Sequence, residues 1–161
     1  MFDRVWHAGL WQVFRSFNTE EGLVQVIQAL YENSSSAVLM NSQLGEFFKT
    51  TIGGRQGCLL SPILFNLFLE TIVQETFHDH HTSNSTGGRS ICNLQFADDI
   101  DVMGGSNGEL QDLTNRLVDR ATAFGIEVST EMSKIMTNST NNINTDISMN
   151  GQKLEQVISF K

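Results

Sequence analysis

Apolar residues recur along this chain with two different periods, and the switches between them mark its elements. Trp6, Leu10, Val13 and Phe17 fall three to four residues apart, the spacing that lines one face of an α-helix. A second stripe, Leu23, Val26, Ile27 and Leu30, follows Asn18, which stands where an N-cap is expected and has Glu21 three residues on as a capping-box partner. Ala37 to Met40 and Glu46 to Thr51 flank a short polar turn containing Gly45 and predict a hairpin. From Ile63 to Leu69 the chain is apolar almost all round, which predicts a central buried helix, with Ser61 suited to its N-cap and Pro62 to its first turn. The period then drops to two. Leu94 and Phe96, then Ile100 and Val102, define two short strands meeting at a corner, each arm with one face to bury. Leu110, Leu113, Leu117, Ala121 and Phe124 restore helical spacing, and Gly125 is placed to end that helix. Thr82 to Gly88 and Asn138 to Asp146 read as polar loops. Asn150-Gly151, between Ile147-Ser148-Met149 and Gln152-Lys153-Leu154, is a two-residue hairpin signal. Helices mixed with hairpins predict an α+β fold, an antiparallel sheet with helices packed on one face.

Composition narrows the function. With 161 residues and 40% hydrophobic content the chain can bury one good core, so one domain over residues 1–161 is expected. Ten Lys and Arg against eighteen Asp and Glu give a net charge of −8. That balance argues against strong free-standing binding to nucleic acid, because phosphate contacts reward cationic side chains by releasing counterions. Cys58 and Cys92 lack a C-x-x-C partner, so neither a zinc ribbon nor a redox motif is supported and free thiols are expected. No apolar run approaches a membrane span and no leader-like N-terminus is present, which predicts an intracellular protein with no membrane partner, nuclear or cytoplasmic.

The candidate chemistry sits at the corner of the two short strands, where Asp98 and Asp99 are adjacent. Aspartate is a common turn residue, so the pair alone could be a solvated loop. An EF-hand loop is excluded because Met103 stands at the next ligand position after Asp99 and Asp101. Paired carboxylates do offer the hard oxygen donors that Mg²⁺ takes, one or two at a time, alongside substrate phosphates. His78 and His81 have zinc-ligand spacing but no clustered Cys or fourth ligand, and a solvated helix end is the better reading. Upstream, Gly53-Gly54-Arg55-Gln56-Gly57 forms a glycine-rich loop feeding the central helix. Its glycines allow close backbone approach to a ligand, and Arg55 and Gln56 supply donors for phosphates or base edges.

Taken together, these segments resemble a reverse transcriptase. The run from Gly54 to Glu70 resembles the "RQG…SP…LFN…LE" element of retroelement polymerases, and Phe96-Ala97-Asp98-Asp99 resembles their catalytic "F/Y-A-D-D" box. Met1 to His7 resembles the tail of the first catalytic motif, Ala123 to Lys134 the motif after the aspartate box, and Ser159-Phe160-Lys161 the start of an "F-K-Y-L-G" element. Order and coverage are closest to non-LTR, LINE-like retrotransposon enzymes. The resemblance implies a polymerase palm with part of the fingers, incomplete at both ends. It implies Mg²⁺ or Mn²⁺ at Asp98 and Asp99, with an RNA template, a DNA primer and deoxynucleoside triphosphates as partners. It also implies nucleotide or template contacts from Phe2, Arg55, Gln56, Gly57, Phe96, Ala97 and Lys134, with the Arg55 loop facing the same cleft as the aspartates.

Two departures bear on activity. The family's first metal-binding Asp would lie upstream of Met1, since Asp3 matches the second, noncatalytic Asp of that motif. Met132 stands where the family commonly has a Lys, with Lys134 nearby. The isolated chain is therefore expected to be inactive in primer extension and weak in nucleic-acid binding. The alternative from another class is a noncatalytic retroelement relic or a repurposed palm acting as an interaction module.

Overall fold

The structure is a computed structural model that describes residues 5–32, 34–54, 57–80, 85–86, 89–137 and 145–158. It divides into two compact units, residues 1–71 and 72–161.

The first unit opens with α1 (His7–Ser16) and α2 (Glu21–Glu32). Leu10, Trp11, Val13 and Phe14 bury the inner face of α1, while Phe17 lies beyond its end and is exposed. On α2 the buried stripe is Val24, Ile27 and Tyr31, and Leu23, Val26 and Leu30 face solvent. Both stripes have helical spacing and lie one residue apart, so periodicity alone cannot choose between them. Asn18 does not cap α2. It takes a left-handed φ of 53° three residues before the helix, closing the turn out of α1.

Between the helices Arg15 grips Glu21 through two hydrogen bonds, Nε to Oε2 at 2.9 Å and Nη2 to Oε1 at 2.7 Å. These bonds hold the Glu21 carboxyl below the usual range and raise the Arg15 guanidinium. A carboxyl whose folded pKa is depressed contributes stability that is complete above its unfolded pKa and is lost as pH falls through the folded value. Glu21→Gln should therefore lower the melting temperature slightly at neutral pH, with the difference vanishing on acidification through the Glu21 titration and shrinking in high salt, since the pair is exposed. A difference that persists at acid pH would show that the ion pair is not its source.

Strands β1 (Ser35–Ser36), β2 (Leu39–Met40), β3 (Gln43–Leu44) and β4 (Phe48–Lys49) form one antiparallel ribbon. Its turn falls at Asn41-Ser42, inside the polar stretch expected to turn, both with positive φ (50° and 62°) as a type I′ turn requires. Gly45 lies in the returning arm, where three residues between β3 and β4 oppose two between β1 and β2. This is a bulge. Helix α3 (Ser61–Phe77) begins one residue before the expected N1, with the Leu60 carbonyl accepting from Leu64 N–H. Leu64, Phe65, Phe68, Leu69, Ile72, Val73 and Phe77 are buried, as a central helix demands, although Ile63 is exposed.

In the second unit β5 (Ser85–Thr86), which falls within the stretch expected to be loop, pairs with β6 (Arg89–Ser90) just beyond it. Strands β7 (Asn93–Phe96) and β8 (Asp99–Val102) form the hairpin that carries the aspartates. Gly104 then admits the chain to α4 (Asn107–Ala123), since a Cβ there would lie 2.9 Å from the Leu110 backbone nitrogen. Ser106 Oγ accepts from Glu109 N–H, and Glu109 Oε2 accepts from Gly105 N–H at 2.6 Å, a reciprocal cap of the kind that satisfies orphan donors. His80 Nε2 comes within 2.8 Å of the other Glu109 oxygen without making a hydrogen bond to it. Leu113, Leu117 and Ala121 are buried as the helical stripe predicts, and Gly125 ends the element at a φ of 74°.

Beyond α4, β9 (Lys134–Met136) pairs in parallel with β12 (Glu155–Val157), and β10 (Ser148–Met149) turns through Asn150-Gly151 into β11 (Gln152–Lys153). The φ values of 52° and 76° at Asn150 and Gly151 confirm the type I′ hairpin read from that dipeptide. The Gln111 side-chain amide acts here as a substitute strand: its Nε2 donates to the Ser148 carbonyl and its Oε1 accepts from Ser148 N–H, both at 2.8 Å. Gln111→Ala should cost about 1–2 kcal/mol by leaving both backbone groups to solvent, and Gln111→Glu should cost at least as much because a carboxylate cannot donate to the carbonyl. Urea unfolding of the variants measures this. A midpoint unchanged in both would mean that the paired amide contributes nothing.

The architecture is thus mixed helices with small, mostly antiparallel sheets, in keeping with an α+β reverse-transcriptase-like domain. Among the described residues no helix is long and apolar enough to cross a membrane.

Candidate active site

Register decides how the aspartate hairpin presents its side chains. Phe96 pairs with Asp99 and Leu94 with Asp101, leaving Ala97-Asp98 as a two-residue turn. Cross-strand partners share a face. Leu94, Phe96, Asp99 and Asp101 therefore lie on one face of the ribbon, and Asn93, Gln95, Ile100 and Val102 on the other. The second face is the supported one: Ile100 and Val102, with Cys92, pack against Val73, Phe77 and Leu113. The expectation that each arm buries its apolar residues holds for β8 and fails for β7, where Leu94 is 52% and Phe96 83% exposed. A two-residue turn puts the apolar positions of the two arms on opposite faces, so only one set can meet the core.

The corner itself is strained. Ala97 takes a φ of 53° and Asp98 does not share it, the φ pattern of a type II′ turn, whose first central position glycine normally fills. Holding alanine there costs on the order of 1 kcal/mol. Asp98 occupies the second central position, clear of both ladders, and Asp98, Asp99 and Asp101 are all exposed. None of the three carboxylates has a side-chain hydrogen bond or ion pair with another described residue. The corner thus offers free hard oxygen donors on a rigid support, a chemistry that fits a divalent cation. Among the described residues no three His, Cys, Asp or Glu side chains converge closely enough to hold an ion unaided, so such a cation would need further ligands from substrate phosphates, water or another carboxylate.

The remaining sequence-derived residues fall in several places. Phe2, Arg55 and Gln56 lie outside the described residues. Gly57 is exposed with a φ of 80°, a conformation that favours glycine, just before the α3 start. Lys134 is engaged: its Nζ lies 2.9 Å from Glu155 Oε2, its partner across the parallel β9–β12 pair. Met132 is 82% exposed. His78 is exposed and contacts Asp79, and His81 lies outside the described residues. Sequence reasoning did not single out His7, whose Nε2 donates to the Gly53 carbonyl at 2.8 Å. That contact joins residues 46 apart, and no local pattern could have signalled it.

An exposed carboxylate corner on a helix-backed hairpin, following a glycine loop and a buried helix, is the order of parts of a template-directed polymerase. The chain belongs to the reverse transcriptase family: residues 1–154 match the family profile described as Reverse transcriptase (RNA-dependent DNA polymerase). Members of this family generally use divalent metal ions and bind template and primer. Among curated proteins the chain is similar to the Retrovirus-related Pol polyprotein from type-2 retrotransposable element R2DM of Drosophila melanogaster, 27% identical over 131 residues, which is 81% of this chain and 12% of that protein. It is also similar to the corresponding polyproteins from type-1 retrotransposable element R2 of Popillia japonica (26% identical, 62% of this chain, 16% of that protein) and Nasonia vitripennis (26% identical, 79% of this chain, 12% of that protein). The chain spans only 12–16% of the length of these relatives. All three are Pol polyproteins of R2 elements, which agrees with the non-LTR resemblance of its motifs.

Proposed function

We propose that this chain supplies the metal-binding hairpin and the glycine-rich substrate loop of an RNA-directed DNA polymerase of the non-LTR type, copying RNA from a primer 3′-hydroxyl. The observation that carries this reading is the exposed Asp98-Asp99 corner within a chain of the reverse transcriptase family. Asp98, at the turn, is the principal metal ligand and Asp99, on the adjoining face, its neighbour. A bound Mg²⁺ or Mn²⁺ would activate the attacking hydroxyl and offset phosphate charge. The protein's own contribution is positional. Ile100 and Val102 anchor the hairpin from behind, Phe96 offers an exposed aromatic surface beside Asp99, and the Arg55-Gln56-Gly57 loop supplies donors to template or nucleotide. Phe2 is assigned to the sugar of the incoming nucleotide.

Lys134 has a weaker claim. Its ion pair with Glu155 must break before it can serve a leaving group. The helices and small sheets are read as parts of a polymerase palm with some of the fingers. Net charge of −8 leaves most of the attraction for the nucleic-acid duplex to basic segments elsewhere in the polymerase. The direct test is incorporation of dTTP on poly(rA)·oligo(dT) with Mg²⁺ by the polymerase that carries this segment, compared with its Asp98→Asn variant. Incorporation that survives this substitution would overturn the assignment.

A further inference from the structure

The geometry points to His7 as a positioning residue for the glycine-rich loop, an assignment that rests on reading this loop as the template- or nucleotide-contacting element. A backbone bridge, with its hydrogen bond, and one side-chain bond converge on the stem of the loop. Trp6 and Ile52 form an antiparallel bridge, Gly53 N–H donates to the Val5 carbonyl at 2.9 Å, and His7 Nε2 donates to the Gly53 carbonyl at 2.8 Å. Both backbone polar groups of Gly53 are thus held by the segment Val5–His7. A carbonyl only accepts, so Nε2 carries the proton in this contact.

The ring has little freedom. It meets Tyr31 edge-on at a centroid distance of 4.9 Å and an angle of 80°, and lies tilted 6.2 Å from Trp11, both buried. The donor is therefore fixed in direction before any ligand arrives. Beneath the stem, Gly53 and Gly54 close over Val5, Leu10, Tyr31, Ser61, Leu64 and Phe65, leaving a gap of only about 10 Å³. The far end of the loop is held separately, where the Cys58 carbonyl accepts from Ser61 N–H at the start of α3. Arg55 follows Gly53 by two residues and Phe2 precedes Val5 by three. Two candidate substrate-contacting segments from distant parts of the sequence are thus joined at their roots, and the His7 bond is the one side-chain link in that joint among the described residues.

The consequence concerns binding more than turnover. Loss of the donor frees the loop stem, so substrate must order it on binding and KM rises while kcat changes little. His7→Phe keeps an aromatic ring against Tyr31 and Trp11 but removes the donor, and His7→Gln restores a donor without the ring. In hydrogen exchange on the 161-residue chain, His7→Phe should accelerate exchange of the Gly53 amide, which donates to the Val5 carbonyl, about five-fold with the α1 and α2 amides unchanged, the scale of one hydrogen bond, and His7→Gln should return it toward wild type. In dTTP incorporation on poly(rA)·oligo(dT) by the polymerase carrying the segment, His7→Phe should raise KM for dTTP or for the template–primer about five-fold, with kcat nearly constant, and His7→Gln should again restore it. Wild-type exchange in His7→Phe overturns the proposal. So does a fall in kcat at constant KM, or failure of His7→Gln to restore either readout. A wild-type polymerase without incorporation would instead refute the function proposed above, and the exchange comparison would still decide whether His7 holds the loop.

Discussion

Asp98→Asn should reduce RNA-templated incorporation by about a thousand-fold or more while leaving the melting temperature essentially unchanged. The catalytic loss follows from chemistry. Asparagine preserves the size of the side chain but removes the anionic oxygen, and hard divalent cations depend on charged oxygen ligands for affinity. Phosphoryl transfer draws nearly all of its acceleration from positioning and charge stabilisation, and removing a single preorganised stabiliser from such a site typically costs about 10²–10³-fold. Losing a metal ligand should cost at least the upper end of that range. The unchanged stability follows from structure: Asp98 is exposed at the second turn position and makes no side-chain hydrogen bond or ion pair with another described residue. Asp119→Asn, which removes the same charge from the exposed face of α4, serves as the control and should incorporate at the wild-type rate. Equal losses in the two variants would point to a general charge effect rather than to a metal ligand.

The largest effect on stability is expected at Leu113. This side chain is fully buried and joins Val73 and Phe77 in the cluster on which Ile100, Val102 and Cys92 pack. Leu113→Ala removes a buried isopropyl group and leaves a cavity that close-packed neighbours fill only in part, a change that costs about 2–5 kcal/mol. That is a large fraction of the 5–15 kcal/mol typical of a folded domain. The same loss should loosen the apolar back of the aspartate hairpin, so incorporation should fall at temperatures where the protein remains folded. Leu113→Met, of similar volume, should cost less than about 1.5 kcal/mol and retain activity. Urea midpoints give the first quantity and dTTP incorporation the second. A wild-type midpoint for Leu113→Ala would show that the packing around Leu113 does not support the unit.

Much of this architecture was readable from local pattern because the signals were strong and short-range. The Leu113, Leu117 and Ala121 stripe, the glycine that ends it, the largely apolar first half of α3 and the Asn150-Gly151 turn each follow from chemistry confined to a few neighbouring residues. The misreadings share a different cause. On α2 two stripes offset by one residue both satisfy the helical period, and contact with α1 chose Val24, Ile27 and Tyr31 over Leu23, Val26 and Leu30. In the first hairpin the polar stretch between Met40 and Glu46 does hold the turn, but which of its residues make it was open to local pattern: Asn41 and Ser42 adopt the positive φ values, and Gly45 lies in a bulge.

The sequence by itself determined the family and the order of its motifs, since these depend on residue type and spacing alone. Tertiary structure decided which face each side chain occupies. Alternation along β7 and β8 reports only that each arm has two faces. The two-residue turn set the register that places Leu94 and Phe96 beside Asp99 and Asp101, and packing on Val73, Phe77 and Leu113 selected the opposite face for burial. The bond from His7 to Gly53 was likewise beyond local pattern, because it exists only once α1, α2 and the loop stem have folded against one another.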